Sequence, residues 1–258
     1  MDSKKKIGFW KIIGLIALIV LIGFFITFYV SFFGNPVMKI IARSELKQYL
    51  AENYSERTDF ELGEVTYNFK DGRYHAEVQS IKSPDTRFYV SWKRGDEVRD
   101  DYEDMVSSGQ NTLARLQQEA RKDIAAKLRE LGEANVFVIM ESFDEMPHFE
   151  LDIPYRPGLI DTSNLHIELY CEEHTAEVAA EVIPKIFLIL EDVGAPLKEL
   201  QLTLVKADYV KRYEVRNITP EDAMAKDLLS RLEELENSFK ANPDAAYQSE
   251  DLSVILPE

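Results

Sequence analysis

His75, His148, His166 and His174 are the four histidines of this chain, and 46 aspartates and glutamates surround them. Two of the histidines, His166 and His174, stand near Glu168, Glu172 and Glu173, a donor set of the kind that ligates a divalent cation. The spacing speaks against it, because a helical zinc site needs histidines four apart and no H-x-x-x-H occurs. His166 falls on the outward side of an alternating strand and His174 at a helix start, so both are expected to be structural. The acid run Asp100, Asp101, Glu103, Asp104 has calcium-ligand chemistry but lacks the alternating D-x-D-x-D-G of a calcium loop. Acids at the start of a helix are already favoured by its dipole.

Cys171 is the single cysteine, expected as a small buried hydrophobe. No G-x-S-x-G or phosphate-cradling glycine loop occurs. Carboxylates are plentiful, and whether two of them pair across a cleft is a matter of three-dimensional distance. An envelope-acting hydrolase using paired carboxylates is therefore the alternative reading. The leading expectation is a protein that is not an enzyme, with no catalytic, cofactor-binding or metal-binding residue and no cofactor.

Those side chains must be held by something, and the first element is an anchor. Ile12 to Phe33 is a run of 22 residues without a charge, about 33 Å long as a helix and enough to cross a hydrocarbon core of about 30 Å. A secretory signal core is shorter, about 7–15 residues, and ends in small residues. This run ends in Phe28, Tyr29, Phe32 and Phe33, so retention is expected. Lys4, Lys5, Lys6 and Lys11 precede it, which places the N-terminus in the cytoplasm, although Lys39, Arg43 and Lys47 weaken the asymmetry. No G-x-x-x-G marks a dimerising face.

The whole chain carries −16, and its first eleven residues carry four lysines and one aspartate. Residues 34–258 therefore hold −19. A domain so acidic repels phosphate, so no nucleic-acid partner is expected. The charge is expected to serve solubility, with a cation-rich partner or cations held in a cell wall as the alternative. With one cysteine there is no internal disulfide, and the outer region must be held by its cores.

Val37 to Asn53 reads as a helix after Gly34-Asn35-Pro36. "FELGEVTYNF" and "RYHAEVQSI" flank Lys70-Asp71-Gly72, the pattern of a hairpin with a type I′ turn. "DTRFYVSWK" is a third strand, and its edge is a candidate for strand addition by a peptide. Residues 101–131 carry Leu113, Leu116, Ala120, Ile124, Leu128 and Leu131 at helical spacing, weakened at Ser107-Ser108-Gly109.

"NVFVIMESF" and "LHIELYC" read as strands, and the helix in "HTAEVAAEVIPKIFLILEDVG" contains Pro184, which should kink it, and stops at Gly194. "LQLTLVKA" and "RYEVRNI" are strands. Thr219-Pro220-Glu221-Asp222 starts one last helix that buries Met224, Leu228, Leu232, Leu235 and Phe239.

The spacing predicts an α+β chain: a cytoplasmic tail over 1–11, a single transmembrane helix over 12–33, and an α-β-β-β unit over 34–96. A larger mixed α+β domain with antiparallel sheets follows over 97–239, then a loose acidic tail over 240–258.

The lysine-flanked anchor, "GNPVMKIIARSELKQYL", the meander "VTYNFKDGRYHAEVQS" and the later strand-helix-strand unit together resemble the YfjL-like family of membrane-anchored proteins from Bacillus-type bacteria. The resemblance implies an anchored outer domain and transfers no active site. The helix-then-meander portion is also similar to cystatin-like and PepSY-like modules, which implies binding or regulation. The expected protein is a single-pass cell-membrane protein with an extracytoplasmic binding or regulatory module. Its expected partner is a protein, a peptide or an envelope component.

Overall fold

The computed structural model describes residues 9–139, 149–192, 194–206 and 212–256. The chain is mixed α+β and divides into two units, residues 1–111 with 150–152, and residues 112–149 with 153–258. The boundary lies beyond the residue 96 expected from sequence, because the chain after it is still spent on the first sheet.

In the first unit, α1 (Phe9–Phe33) is a continuous apolar helix long enough to cross a membrane. From Ile12 to Phe33 its side chains are exposed except for half-buried Val30. Thr27 and Ser31 return their hydroxyls to the carbonyls of Gly23 and Thr27, at 2.9 and 2.8 Å. That satisfies both hydroxyls without water. α2 (Pro36–Asn53) follows at once, because Asn35 caps it by accepting from the Val37 amide and Pro36 occupies its first position.

The first sheet is antiparallel. The expected first strand is two, β1 (Phe60–Leu62) and β2 (Thr66–Asn68), both paired with β3 (Arg73–Ser80). Leu62 pairs with Val78 and Thr66 with His75, so four steps on one side oppose three on the other, a bulge at Gly63-Glu64-Val65. β4 (Arg87–Trp92) pairs with β3 on one side and with β5 (Arg99–Asp100) on the other. The β4 edge named as a strand-addition site is thus occupied at Val90 and Ser91, and Tyr89 is tied to Asp101 by two further hydrogen bonds.

α2 packs Ala42 and Leu46 onto Tyr74, Ala76, Val78, Phe88, Val90 and Trp92. Arg73 is buried with its guanidinium paired: it donates to Ser91 Oγ, the Ser91 and Glu97 carbonyls and the Asp96 carboxylate. Residues 150–152 return to this unit, where Asp152 accepts from Ser83 Oγ at 2.9 Å and its amide donates to Asp85.

The β2–β3 connection differs from the expected type I′ turn. It is a four-residue loop, Phe69–Gly72, closed by Gly72 N–H donating to the Asn68 carbonyl at 2.9 Å, and only Gly72 has a positive φ, +68°. A Cβ there would meet nothing nearer than 3.8 Å, so a substitution is strained by backbone alone. Gly72→Val should cost about 1–2 kcal/mol, read as a lowered melting temperature of the full chain in micelles; melting with the parent would remove the turn requirement.

Asp100 is the polar hub of the unit. It accepts from the hydroxyls of Tyr49 and Tyr54 and, at 3.0 Å, from the Tyr102 amide. Burial, then the hydrogen bond and charge of Asp100, push the Tyr49 phenol up to about 12, and burial also raises Tyr54. A phenol raised in the folded state contributes stability that is complete below its unfolded value of 10.0 and is lost as pH climbs towards the folded one. The melting temperature should hold to about pH 10 and then fall, and Tyr49→Phe should flatten that fall.

At the end of the first unit a π-turn at Glu103–Ser107 and Gly109 (φ +80°) precede α3 (Gln110–Lys127), which carries the chain into the second unit, as the weak Ser-Ser-Gly spacing implied. A 3-10 turn, Leu128–Glu130, ends it. The second sheet has five strands among the described residues. β6 (Ala134–Val138) pairs antiparallel with β7 (Asn164–Tyr170); of the expected "NVFVIMESF" strand, Met140 to Phe143 lie outside the described residues.

α4 (Ala176–Asp192) crosses over to β8 (Glu199–Val205), so β7 and β8 are parallel. The sheet is therefore mixed, because a helical crossover returns the chain in the direction it started. α4 remains one element through Pro184 and ends at Gly194, φ +75°.

β9 (Arg212–Ile218) pairs with β8 across a bulge at Asn217, φ +55°, whose amide donates to the Ser249 and Asp251 carbonyls. The expected last helix is broken. Thr219 and Asp222 form a capping box on α5 (Pro220–Ala223), and α6 (Leu228–Ala241) starts afresh, so Met224 is exposed. α7 (Pro243–Tyr247) leads to β10 (Ser253–Ile255), which pairs with β9. The "LSVIL" patch is thus part of the sheet and not of a loose tail, since alternate exposure cannot suit a segment that is apolar on both sides. Leu165, Ile167 and Leu169 of β7 share one core with α3, α4 and α6.

Candidate functional site

β7 ends at Tyr170, and five residues carry the chain into α4. Thr175 caps that helix weakly, its hydroxyl 3.4 Å from the Val178 amide, and Glu177 lies in the first turn. On α6, Glu233, Glu236 and Asn237 are three and four residues apart and so share a face. With His174, Tyr213 of β9 and Leu256 after β10, these groups line a cavity of about 460 Å³ in the second unit.

Tyr213 alternates inward with Val215 and is only 2 % exposed. Its hydroxyl makes no hydrogen bond, and neither does the buried Nε2 of His174. A buried polar group left unpaired costs about 1–3 kcal/mol, so two at one cavity are a place where the fold gives up stability. Burial raises the Tyr213 phenol, and the charges of Glu236, Glu177 and Glu233 add to that in this order. The phenol is neutral at physiological pH.

The carboxylates are held around it. The Thr175 hydroxyl keeps Glu177 below the usual carboxylate range, and Glu236 accepts from Lys240 at 2.6 Å. The lining is rich in carboxylate oxygens, with the Tyr213 hydroxyl and His174 Nε2 buried unpartnered among the same residues. Among the described residues no three His, Cys, Asp or Glu side chains converge closely enough to hold a metal ion.

A second cavity of about 510 Å³ is lined by Asn217, Asp222, Arg231 and Glu250 among others, and its main polar groups answer one another. Arg231 donates to Asp222 at 2.6 Å, and the Asn217 amide is used by the Ser249 and Asp251 carbonyls. That pairing explains the residues as structure, and it leaves the His174–Tyr213 cavity as the candidate site.

The sequence-weighed groups are scattered. His174 sits in the cavity, but with Glu177, Glu233 and Glu236 and not in a metal set with Glu172 or Glu173. His166, expected to face solvent, is half-buried: its Nε2 lies 2.9 Å from Thr203 Oγ1 and its ring stacks on Phe137 with centroids 5.4 Å apart. Burial lowers its pKa.

His75 pairs with Asp71 at 2.8 Å, and His148 lies outside the described residues. Asp100 and Asp101 serve Tyr49, Tyr54 and Tyr89, while Glu103 and Asp104 open the π-turn. Cys171 is half-buried, its thiol donating to the Glu173 carbonyl at 3.0 Å and pushed up by burial. Tyr213, Glu233, Glu236 and Asn237 were missed. The only local signal was the helical spacing on α6, which any solvated face also shows.

Residues 9–102 match the family model described as YfjL-like, N-terminal domain. The match spans α1 to the end of the first sheet. The cavity lies beyond it. Among solved structures, a DUF5037 family protein from Ruminococcus gnavus ATCC 29149 aligns at 15% identity over 67% of this chain and 76% of that one, with a TM-score of 0.21. A superposition that poor carries no argument about fold or site. No curated protein matches.

Proposed function

We propose that this chain is a single-pass, membrane-anchored binding or regulatory module, with its N-terminus in the cytoplasm and a ligand taken into the His174–Tyr213 cavity of its outer domain. The observation that carries the binding role is the partnerless Tyr213 hydroxyl among carboxylates: a protein selected for stability alone would bury phenylalanine there. Anchoring is supported by the length and exposure of α1 and by the lysines before it.

Two measurements test this. Protease added to wall-stripped cells should digest the domain and leave a small membrane-protected fragment; full protection would reverse the orientation. A photo-crosslinking residue at Asn237 should form an adduct in native membranes that the same residue at exposed Lys122, on α3, does not form. Equal yields at both positions, or no adduct, would remove the cavity as the binding site.

A further inference from the structure

We propose that the cavity takes an organic cation, an alkylammonium or guanidinium of the kind carried by a basic peptide side chain. The inference rests on the binding reading above and adds the chemistry of the ligand. Its first ground is the hydrogen-bond inventory. The lining includes the carboxylates Glu177, Glu233 and Glu236, and with them Tyr213 and His174, whose hydroxyl oxygen and Nε2 are buried there without a partner, Nε2 accepting in the tautomer that carries its proton on Nδ1. Such a wall is rich in acceptors. An ammonium has three donors and no acceptor, so it completes these groups without leaving one of its own unmet.

The second ground is charge. Three carboxylates line this cavity and already act on Tyr213 through their charge, within a region, residues 34–258, that carries −19. Lys240 offsets one of the three, Glu236, but the lining stays negative, so an anionic ligand is disfavoured and a cation is drawn in.

The third ground separates an organic cation from a metal ion. A divalent metal needs oxygens within about 2.0–2.6 Å of one point, and these carboxylates are not clustered so tightly. They are spread over a cavity of about 460 Å³, room for a side chain and its flanking peptide. Ala176 and Leu256 add apolar wall for the methylene stem of such a group.

The test is calorimetric titration of the full chain in detergent micelles with three blocked tripeptides, Gly-Lys-Gly, Gly-norleucine-Gly and Gly-Glu-Gly. The lysine probe should bind and the other two should not, with binding weakened by added salt. Tyr213→Phe and Glu233→Gln should each weaken it about tenfold. Tyr213→Phe should leave the melting temperature unchanged or raise it, because the lost hydroxyl has no partner in the protein.

Equal binding of the norleucine probe would overturn the cation and leave the cavity as a binding site. Lysine binding untouched by both variants would place that binding elsewhere and also overturn the inference. If no probe bound while the Asn237 adduct still formed, the cation would fall and the binding reading would stand; loss of that adduct as well would remove both.

Discussion

Gly34→Val should destabilise the first unit by about 3–5 kcal/mol, more than any other single glycine replacement outside α1. Gly34 joins α1 to α2 at φ +77°, a conformation a β-branched residue resists. Space is the larger problem. A Cβ on Gly34 would stand 2.6 Å from Tyr67 Cβ, 2.7 Å from its Cγ and 3.1 Å from Tyr74 Cε1. Neither tyrosine has freedom to move, since the rings lie 5.0 Å apart and the Tyr74 hydroxyl accepts from the Asn35 amide at 2.8 Å.

Trp92, in the same core, reports the outcome by fluorescence during thermal unfolding. Gly95→Val is the control: Gly95 has φ +86° but nothing within 4 Å of its Cβ, so it bears strain without collision and should lose only about 1–2 kcal/mol. If the two variants melted together, the close approach of Tyr67 to the joint would be wrong.

Val254→Asp should collapse the second unit, at about 3–5 kcal/mol. Val254 is 1 % exposed, lies opposite Val215 in the β9–β10 ladder and belongs to the same core as Leu232 and Ile183. A carboxylate placed there would be buried in the hydrophobic cluster that Val254 shares with Val215 and Leu232. Limited trypsin digestion should cut the second unit at rates far above the parent while Trp92 still reports a folded first unit. Unchanged digestion would restore the loose tail expected from sequence.

What could be read in advance followed from local pattern. Asn35-Pro36 announces α2 because a cap and a first-position proline act within three residues, and "LHIELYC" announces β7 because burial of one face forces alternation. The hairpin glycine was legible too, though its loop length was not. The family match at residues 9–102 falls on the portion where such local signals are densest.

The misses are non-local. The parallel pairing of β7 with β8 depended on reading the strand-helix-strand order as a crossover rather than as two separate antiparallel neighbours. β10 looked like tail because three residues are too few for a period, and only β9 decides their fate. Met224 was read into a continuous helix, and the break at residues 224–227 turned it outward. The cavity was invisible for the same reason: His174, Tyr213 and Glu236 come from three separate elements, and nothing in their spacing says that a helix start, a strand and a second helix face meet.

The position of β10 also sets an order of events during synthesis. A chain leaves the ribosome N-terminus first, and the first sheet has all its strands once Asp100 is out. The second sheet lacks its final partner until Ser253–Ile255 emerge, so the nascent protein carries a bare β9 edge flanked by the apolar Tyr213, Val215 and Ile218 through all that time. Exposed edges of that kind pair with whatever strand is nearest. Chains stopped between residues 219 and 252 should therefore accumulate as aggregates, a fate set by the missing ladder and separate from any loss of the ligand cavity.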